Sequence, residues 1–197
     1  MTIVLATKNR KKVEEMQRMF AGYNIRFITL SSFPDCPDVV EDGRTFRANA
    51  LKKAIAVSKF TGYHAVADDS GLEVSALGGS PGVFSARYAG EGAKDSDNLK
   101  KLLRELRPFR DNRDREARFV CCIAFATPEG KCKTFAGYVK GTIGKKQKGF
   151  NGFGYDPVFC PEGHDRTFAE MTDKEKDRLS HRGQAMKKFY RYLKGLL

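Results

Sequence analysis

The segment "HAVADDSGLEV", His64–Val74, combines a strand signal with an unusual pair of charges. "HAVAD" is typical of a buried β-strand, and "GLEV" predicts a second strand. Between them, Asp68 and Asp69 stand side by side, directly before Ser70 and Gly71. Adjacent like charges repel one another, so a cation or a reaction should account for them. The alternative is that the two acids end a strand and that Ser70-Gly71 forms a turn.

The segments on either side of this pair predict an α/β fold with a mixed sheet. Strands are expected at "TIVLAT" (2–7), "IRFITL", "REARFVCCIAFAT" and "CKTFAGYVKGTI", with the last two forming an antiparallel pair. Helices are expected after Thr7, up to Gly22, and from about Thr45. A third carries Leu99, Leu102, Leu103 and Leu106, and the last carries Met186, Phe189, Leu193 and Leu196. Thr172 and Glu175 have the spacing of a capping box.

Composition narrows the class of protein. The chain has 197 residues, of which 41% are hydrophobic, but no apolar run long enough to cross a membrane and no secretory signal pattern at its start. Five cysteines without a C-x-x-C pair and three histidines do not predict a disulfide framework or a zinc site. We therefore expect a soluble cytoplasmic protein. Its net charge of +12 suggests a polyanionic partner: nucleic acid, an anionic membrane or a polyphosphate.

Two segments have the residues of a phosphate and metal site. "ATKNRKK" (6–12) places basic side chains at a strand-to-helix turn, where backbone N–H groups suit phosphate, although it lacks the Walker pattern. "VVEDGRTF" brings Glu41 and Asp42 before a helix that carries Lys53. With Asp68 and Asp69 these carboxylates would suit Mg²⁺, and one of them could activate a water. A solvated basic helix start and helix-capping acids are the alternatives.

Two further segments have the residues of a nucleoside site. In "KGFNGFGYDPVF" (148–159), Phe153 or Tyr155 could stack on a base, and Asp156 could accept a hydrogen bond from it. Lys176, His181 and Arg182 in "EKDRLSHRGQA" are donors for phosphate or a carbonyl oxygen. A packed glycine-aromatic loop and solvated helix residues remain alternatives.

Together these segments resemble the inosine triphosphate pyrophosphatase family. The resemblance covers nearly the whole chain through "LATKNRKKVEEM", "EDGRTFRANA", "ADDSGLEVSALGGSPGVFSARYAG", "FGYDPVF" and "EMTDKEKDRLSHRGQAMK". It implies a single elongated, two-lobed α/β domain over residues 1–197, with an active-site cleft between the lobes. It also implies a homodimer that uses Mg²⁺ to split ITP, dITP or XTP into the monophosphate and pyrophosphate.

The resemblance also implies roles for individual residues. Glu41 and Asp69 would bind the metal, Asp69 would accept the proton and Ser70 would touch the substrate. The triphosphate would be held by Thr7, Lys8, Asn9, Arg10, Lys11, Lys12 and Lys53. The nucleoside would be held by Phe153, Gly154, Tyr155, Asp156, Lys176, His181 and Arg182. The role of Asp68 stays open: it would bind the metal or only tune Asp69.

Two departures and two competing functions accompany this interpretation. Lys8 and Asn151 stand where the family often has smaller residues, which bears on phosphate affinity and loop flexibility. A Maf-like nucleotide pyrophosphatase is the first alternative, but that class lacks the "SHRG" segment. A nucleic-acid-binding protein without turnover is the second, and its binding would depend strongly on salt. We expect neither a stable nucleic-acid partner nor a membrane partner.

Overall fold

The protein has the predicted α/β architecture, seen in a computed structural model that describes residues 1–111 and 113–195. The strands are β1 (Thr2–Leu5), β2 (Arg26–Thr29), β3 (His64–Val74), β4 (Glu116–Ala126), β5 (Cys132–Ile143) and β6 (Phe159–Pro161). The helices are α1 (Arg10–Met19), α2 (Phe46–Thr61), α3 (Asp95–Glu105), α4 (Asp173–Leu179) and α5 (His181–Lys194). Short 3₁₀ turns cover Leu30–Ser32, Ser75–Leu77, Gly82–Arg87, Arg113–Arg115 and Phe168–Glu170.

All six strands belong to one mixed sheet in the order β2-β1-β3-β4-β5-β6. Strand β1 runs parallel to both β2 and β3, whereas β5 and β6 are antiparallel. Strand β6 was not expected, because it has only three residues and begins at Phe159, the last residue of the glycine-aromatic segment that predicts a loop. The turn between β4 and β5 closes through the Thr127 N–H, which donates to the Lys131 carbonyl at 2.9 Å.

The separate strands expected at "HAVAD" and "GLEV" are one continuous strand, β3. A turn at Ser70-Gly71, the alternative considered for this segment, is therefore wrong as well. Gly71 is not among the glycines of positive φ, so its backbone continues the strand instead of reversing it. The next amide, that of Leu72, donates to the Ser85 hydroxyl at 2.9 Å, so a side chain satisfies the backbone here.

The chain divides into two compact units. The first contains residues 1–69, 121–137 and 182–197, and its core is formed by the starts of β1 and β3, the end of β4, and α1 and α5. Met186, Phe189 and Leu193 of α5 are buried there as predicted, while Leu196 lies outside the described residues. Helix α1 begins at Asn9, whose side chain accepts hydrogen bonds from the first turn.

The second unit contains residues 70–120 and 138–181. Its core packs α3 and the 3₁₀ turn Phe168–Glu170 with β4, β5 and β6, and it includes the predicted leucines Leu99, Leu102 and Leu106. The predicted capping box at α4 is present, because Thr172 accepts from the Glu175 N–H and Glu175 accepts from the Thr172 N–H. Within the described residues, no helix is both long and apolar enough to cross a membrane.

Candidate active site

Asp68 and Asp69 face opposite sides of the sheet, because consecutive side chains of a β-strand alternate between its two faces. Both are buried. Their neighbours differ accordingly: Asp68 contacts side chains of α1, β4 and α5, whereas Asp69 contacts a side chain of α2. The pair in the sequence is thus two separate sites in the structure.

Asp68 is the counter-ion of two cations. Its carboxylate accepts from Arg182 Nε at 2.9 Å, pairs with the Lys12 ammonium, and accepts from the Cys121 thiol at 3.1 Å. Burial alone would raise the pKa of the Asp68 carboxyl, but the charges of Arg182 and Lys12 hold that pKa well below its usual range. Asp68 is therefore paired with the protein's own cations.

Arg182 lies in the first unit at 2% exposure and donates to two carboxylates. Besides Asp68, it donates to Glu15 Oε2 from Nη1. The structure therefore places Arg182 in a buried ion-pair network. A guanidinium carries five N–H groups, so pairing with these acids and contact with a substrate are compatible roles. Its base-reading role remains a prediction.

Lys53 joins Asp69 to Glu41. The lysine ammonium lies 3.1 Å from Asp69 Oδ1 and 3.1 Å from Glu41 Oε1, and it donates to the Asp68 carbonyl at 2.9 Å. Burial raises the pKa of Asp69 to about 6, with the Glu41 carboxylate adding to the rise and Lys53 and Lys12 opposing it. Burial would also raise the pKa of Glu41, but the Lys53 charge reverses this and lowers it. A carboxylate that titrates near neutral pH is matched to work as a general base.

The Glu41–Asp69 pair has the ligand chemistry that a magnesium ion needs. Asp69 Oδ2 is buried and accepts no hydrogen bond from the described residues, so a buried anionic oxygen is left for a cation. Mg²⁺ usually takes one or two carboxylates and completes its shell with waters and phosphate oxygens. Among the described residues, no group of three or more histidines, cysteines and acids is arranged to hold a metal.

The predicted phosphate loop converges only in part on this cluster. Lys12 reaches Asp68, but Lys8 pairs with Asp38, and both Arg10 and Lys11 pair with Glu14. The first turn of α1 is capped from within: Asn9 Oδ1 accepts from the N–H groups of Lys11 and Lys12 at 3.0 and 3.2 Å, and Thr7 Oγ1 accepts from Asn9 at 3.1 Å. Lys12 and Lys53 are therefore the lysines closest to the two aspartates.

Of the predicted nucleoside residues, all but Arg182 lie in the second unit. Asp156 Oδ2 accepts from Lys176 Nζ at 2.7 Å and from the Phe153 N–H at 2.8 Å, and the ammonium lies 4.9 Å from the centre of the Phe153 ring. Of the two candidate stacking rings, Tyr155 is buried in the core and donates to the Ser85 carbonyl at 2.8 Å. Phe153 is only half-buried. Phe153 is therefore the better platform for a base.

The remaining predicted nucleoside and substrate residues have contacts of their own. The Gly154 N–H donates to Asp95 Oδ2 at 2.8 Å, from the first turn of α3. His181 stacks on Phe119 with ring centres 4.6 Å apart and planes inclined by 8°. Ser70, the remaining predicted contact, begins this unit on β3 and is half-buried.

Several contributing residues were not predicted from the sequence. Glu15 has no sequence signal that separates it from Glu14, yet Glu15 is buried against Arg182 and Glu14 stays near solvent. Asn49 did carry a signal. With Lys53 it stands three and seven residues after Phe46, so both polar residues fall on the apolar stripe of α2.

The sequence matches the model of the Ham1 family over residues 3–192. The chain belongs to the Ham1 family. Among its relatives is a dITP/XTP pyrophosphatase of Desulfotalea psychrophila, which is 50% identical over 93% of this chain and 81% of its own. Another, of Bacillus licheniformis, is 48% identical over 94% of both chains. These matches cover every segment that contributes a candidate site residue.

Solved structures agree with this assignment. A HAM1 protein from Coxiella burnetii superimposes with a TM-score of 0.89 at 42% identity, over 99% of both chains. A nucleoside-triphosphatase / dITP/XTP pyrophosphatase from Mycobacterium abscessus gives a TM-score of 0.77 at 43% identity, over 96% of this chain and 98% of that one. The family suggested by the sequence motifs is thus confirmed by whole-chain similarity in sequence and in fold.

Proposed function

We propose that this protein hydrolyses dITP, ITP and XTP to the nucleoside monophosphate and pyrophosphate, and so removes non-standard purines from the nucleotide pool. The observation that carries the proposal is the Lys53 bridge to Glu41 and Asp69, beside a buried carboxylate oxygen that accepts no hydrogen bond from the described residues. Relatives named dITP/XTP pyrophosphatase at 50% and 48% identity support the choice of substrate.

The first unit supplies the groups for the triphosphate. Lys12 and Lys53 are the ammonium groups nearest the carboxylates, and the Thr7–Lys11 segment contributes further basic and hydroxyl groups at the start of α1. Donors that hold the β- and γ-phosphates leave the α-phosphorus for attack by water, with pyrophosphate as the leaving group. Asp69 accepts the proton of that water, since its pKa of about 6 makes it anionic at neutral pH and still basic enough for the transfer.

Glu41 and Asp69 would hold a magnesium ion. When bound, the ion supplies positive charge that offsets the charge building up on the phosphate oxygens. The chain's own contribution is to keep the two carboxylates together, which Lys53 does by contacting both. EDTA should abolish turnover and added Mg²⁺ should restore it, with Mn²⁺ as a substitute because the ligands are oxygens.

Most of the groups proposed for the nucleoside lie in the second unit, and Arg182 lies in the first. Phe153 offers a ring for stacking, and Lys176 and Asp156 present a paired ammonium and carboxylate beside it. His181, held flat on Phe119, and Arg182 would donate to the 6-oxo group of hypoxanthine or xanthine, an acceptor that adenine lacks. Gly154, Tyr155 and Ser70 complete this proposed contact set.

A triphosphate panel with Mg²⁺ tests the function. dITP, ITP, XTP, dATP and dGTP are supplied separately, and pyrophosphate and orthophosphate are measured in parallel. We expect pyrophosphate as the first product and far faster turnover of dITP, ITP and XTP than of the standard nucleotides. Orthophosphate as the first product would mean attack at the terminal phosphate and would overturn the proposed reaction. Equal rates for dITP and dATP would overturn the proposed base selection.

The setting of the reaction is part of the proposal. The resemblance to the inosine triphosphate pyrophosphatase family implies a homodimer in the cytoplasm, with neither a stable nucleic-acid partner nor a membrane partner. Light scattering coupled to size exclusion, with and without dITP and Mg²⁺, measures the oligomeric state.

A further inference from the structure

The segment that carries Glu41 is attached to α2 by three consecutive contacts. Lys53 Nζ lies 3.1 Å from Glu41 Oε1, Lys52 Nζ lies 2.7 Å from Asp42 Oδ1, and the Gly43 N–H donates to Asn49 Oδ1 at 2.8 Å. The segment 38–45, which precedes α2, forms neither a helix nor a strand. The position of Glu41 therefore depends on these contacts.

The three contacts respond differently to a bound cation. The Lys52–Asp42 pair is exposed on both sides, so solvent and salt weaken it. Lys53 is shared between Glu41 and Asp69, the same carboxylates that would bind the metal, so a cation there competes with the lysine. The Asn49–Gly43 hydrogen bond joins an uncharged amide to a backbone N–H, so its strength does not depend on whether Glu41 is paired with lysine or with metal.

We propose that Asn49 is a positioning residue that fixes the Glu41 segment for metal binding through its hydrogen bond to Gly43. The inference rests on the proposed function, which assigns the metal to Glu41 and Asp69. Two observations support it. The Asn49 side chain is buried at 1% exposure, and its hydrogen bond to Gly43 is the only one that it makes with the described residues.

The fit around Gly43 is the second observation. A Cβ atom built on Gly43 would lie 2.5 Å from Asn49 Oδ1 and 3.0 Å from the Ala48 Cβ. The first distance is shorter than real Cβ contacts, so a side chain at position 43 would displace either the Asn49 amide or the segment and break the hydrogen bond between them. Glycine is needed here for close approach and not for an unusual backbone angle, since Gly43 is not among the glycines of positive φ.

The experiment uses Asn49→Ala and Gly43→Ala, which break the contact from either side. Gly43 is not buried in the core, so Gly43→Ala should fold even if Asn49→Ala folds poorly. The contact can then still be tested with Gly43→Ala. Asn98→Ala is the matched control. Asn98 is also a buried helical asparagine, at 2% exposure, and its Oδ1 accepts from the Ala89 N–H at 2.7 Å, but it lies in the second unit and contacts neither Glu41 nor Asp69.

Two quantities are measured for each variant. The first is hydrogen–deuterium exchange of the peptide covering residues 41–44 in the metal-free protein, which reports the contact without any turnover. The second is the Mg²⁺ concentration for half-maximal hydrolysis of saturating dITP. We expect faster exchange and a requirement for Mg²⁺ raised by about tenfold or more in Asn49→Ala and Gly43→Ala, as for other residues that orient metal ligands. Asn98→Ala should change neither quantity.

The double variant adds a further check. Once Asn49 is alanine, the contact at 2.5 Å is gone, so Gly43→Ala should add little to the loss. The inference would be overturned if both single variants showed the wild-type rate of hydrogen–deuterium exchange and the wild-type Mg²⁺ requirement. The proposed function would then still stand. Absence of dITP turnover in the wild-type protein at every Mg²⁺ concentration would instead overturn the proposed function.

Discussion

The Asp69 carboxylate has one oxygen on Lys53 and one buried oxygen that accepts no hydrogen bond within the described chain. Asp69→Asn keeps the size of the side chain but removes its charge and its ability to accept a proton. We expect kcat for dITP to fall by roughly 10²–10⁴-fold, because a positioned general base contributes about that much. Calorimetry should still detect triphosphate binding, since Lys12 and Lys53 remain. A variant that kept more than about a tenth of the wild-type rate would mean that another group is the base.

We expect the Asp68 carboxylate to contribute to the stability of the fold, in contrast to the Asp69 carboxylate. Asp68→Asn leaves the buried Arg182 guanidinium and the half-buried Lys12 ammonium facing a neutral amide. Removing one partner of a buried ion pair typically costs about 3–5 kcal/mol, so urea unfolding should show a loss of that order. Asp69→Asn is the control, and its free energy of unfolding should change far less. Equal stability of the two variants would show that the Asp68 network contributes no net stability.

Arg182 has two candidate roles, recognition of the base and pairing with Asp68 and Glu15. Comparing ITP with ATP as substrates distinguishes them. If it reads the 6-oxo group, Arg182→Ala should lower kcat/KM for ITP more than the low activity on ATP, whose 6-amino group offers no acceptor. We expect this unequal loss, by a factor of about 10 or more, because a lost donor to a substrate oxygen costs 1–3 kcal/mol in a buried site. Equal losses on ITP and ATP would assign Arg182 to the positioning of Asp68 and Glu15 alone.

At the scale of elements, periodicity predicted most helices and strands, because apolar residues at spacings of 2 and 3.6 must face a core. Strand β5 has the limits expected from its sequence. The errors occurred where local turn signals compete with the sheet: Ser70-Gly71 continues β3, and β6 is too short for its pattern to be read.

The sequence predicted which residues belong to the candidate site, but it did not predict which of them contact one another. Lys53 and Glu41 are 12 residues apart and Arg182 and Asp68 are 114 apart, so their contacts depend on how whole elements pack. The separation of Asp68 from Asp69 follows from strand alternation. It was missed because two separate strands were expected at "HAVAD" and "GLEV", which placed the two acids at the end of a strand and not within one.

The glycine-rich loop at 149–156 offers a prediction at this scale. A Cβ on Gly152 would lie 2.2 Å from Asp156 Oδ2, the atom that holds both Lys176 and the Phe153 N–H. Gly152→Ala should therefore raise KM for dITP by about tenfold or more, because an unpaired buried acceptor costs 1–3 kcal/mol. Gly163→Ala is matched for backbone strain, with φ of +79° against +73°, but its Cβ meets no atom within 4 Å. An equal rise in both variants would attribute the effect to strain alone.

At the scale of the whole molecule, the net charge of +12 is carried mainly by exposed side chains. Of the lysines and arginines in the described residues, only Arg115, Lys176 and Arg182 are buried. The donors of Arg115 go to four backbone carbonyls, from Leu106, Phe109, Ile143 and Gly144, so its charge serves the fold. The surface is therefore strongly basic, and it would attract any polyanion, including both a nucleoside triphosphate and nucleic acid.

Salt dependence distinguishes these two partners. For a small polyanion, the basic surface should speed encounter, so we expect kcat/KM for dITP to fall by about tenfold from low to high salt while kcat stays constant. Replacing the exposed Lys145 and Lys146 by glutamate should weaken this dependence, whereas replacing them by arginine should leave it unchanged. Long single-stranded DNA is added as a competitor in the same assay. Because single-stranded nucleic acid also releases bound counter-ions on binding, inhibition whose affinity fell by about 10³-fold or more over a few-fold rise in salt would assign the basic surface to nucleic acid.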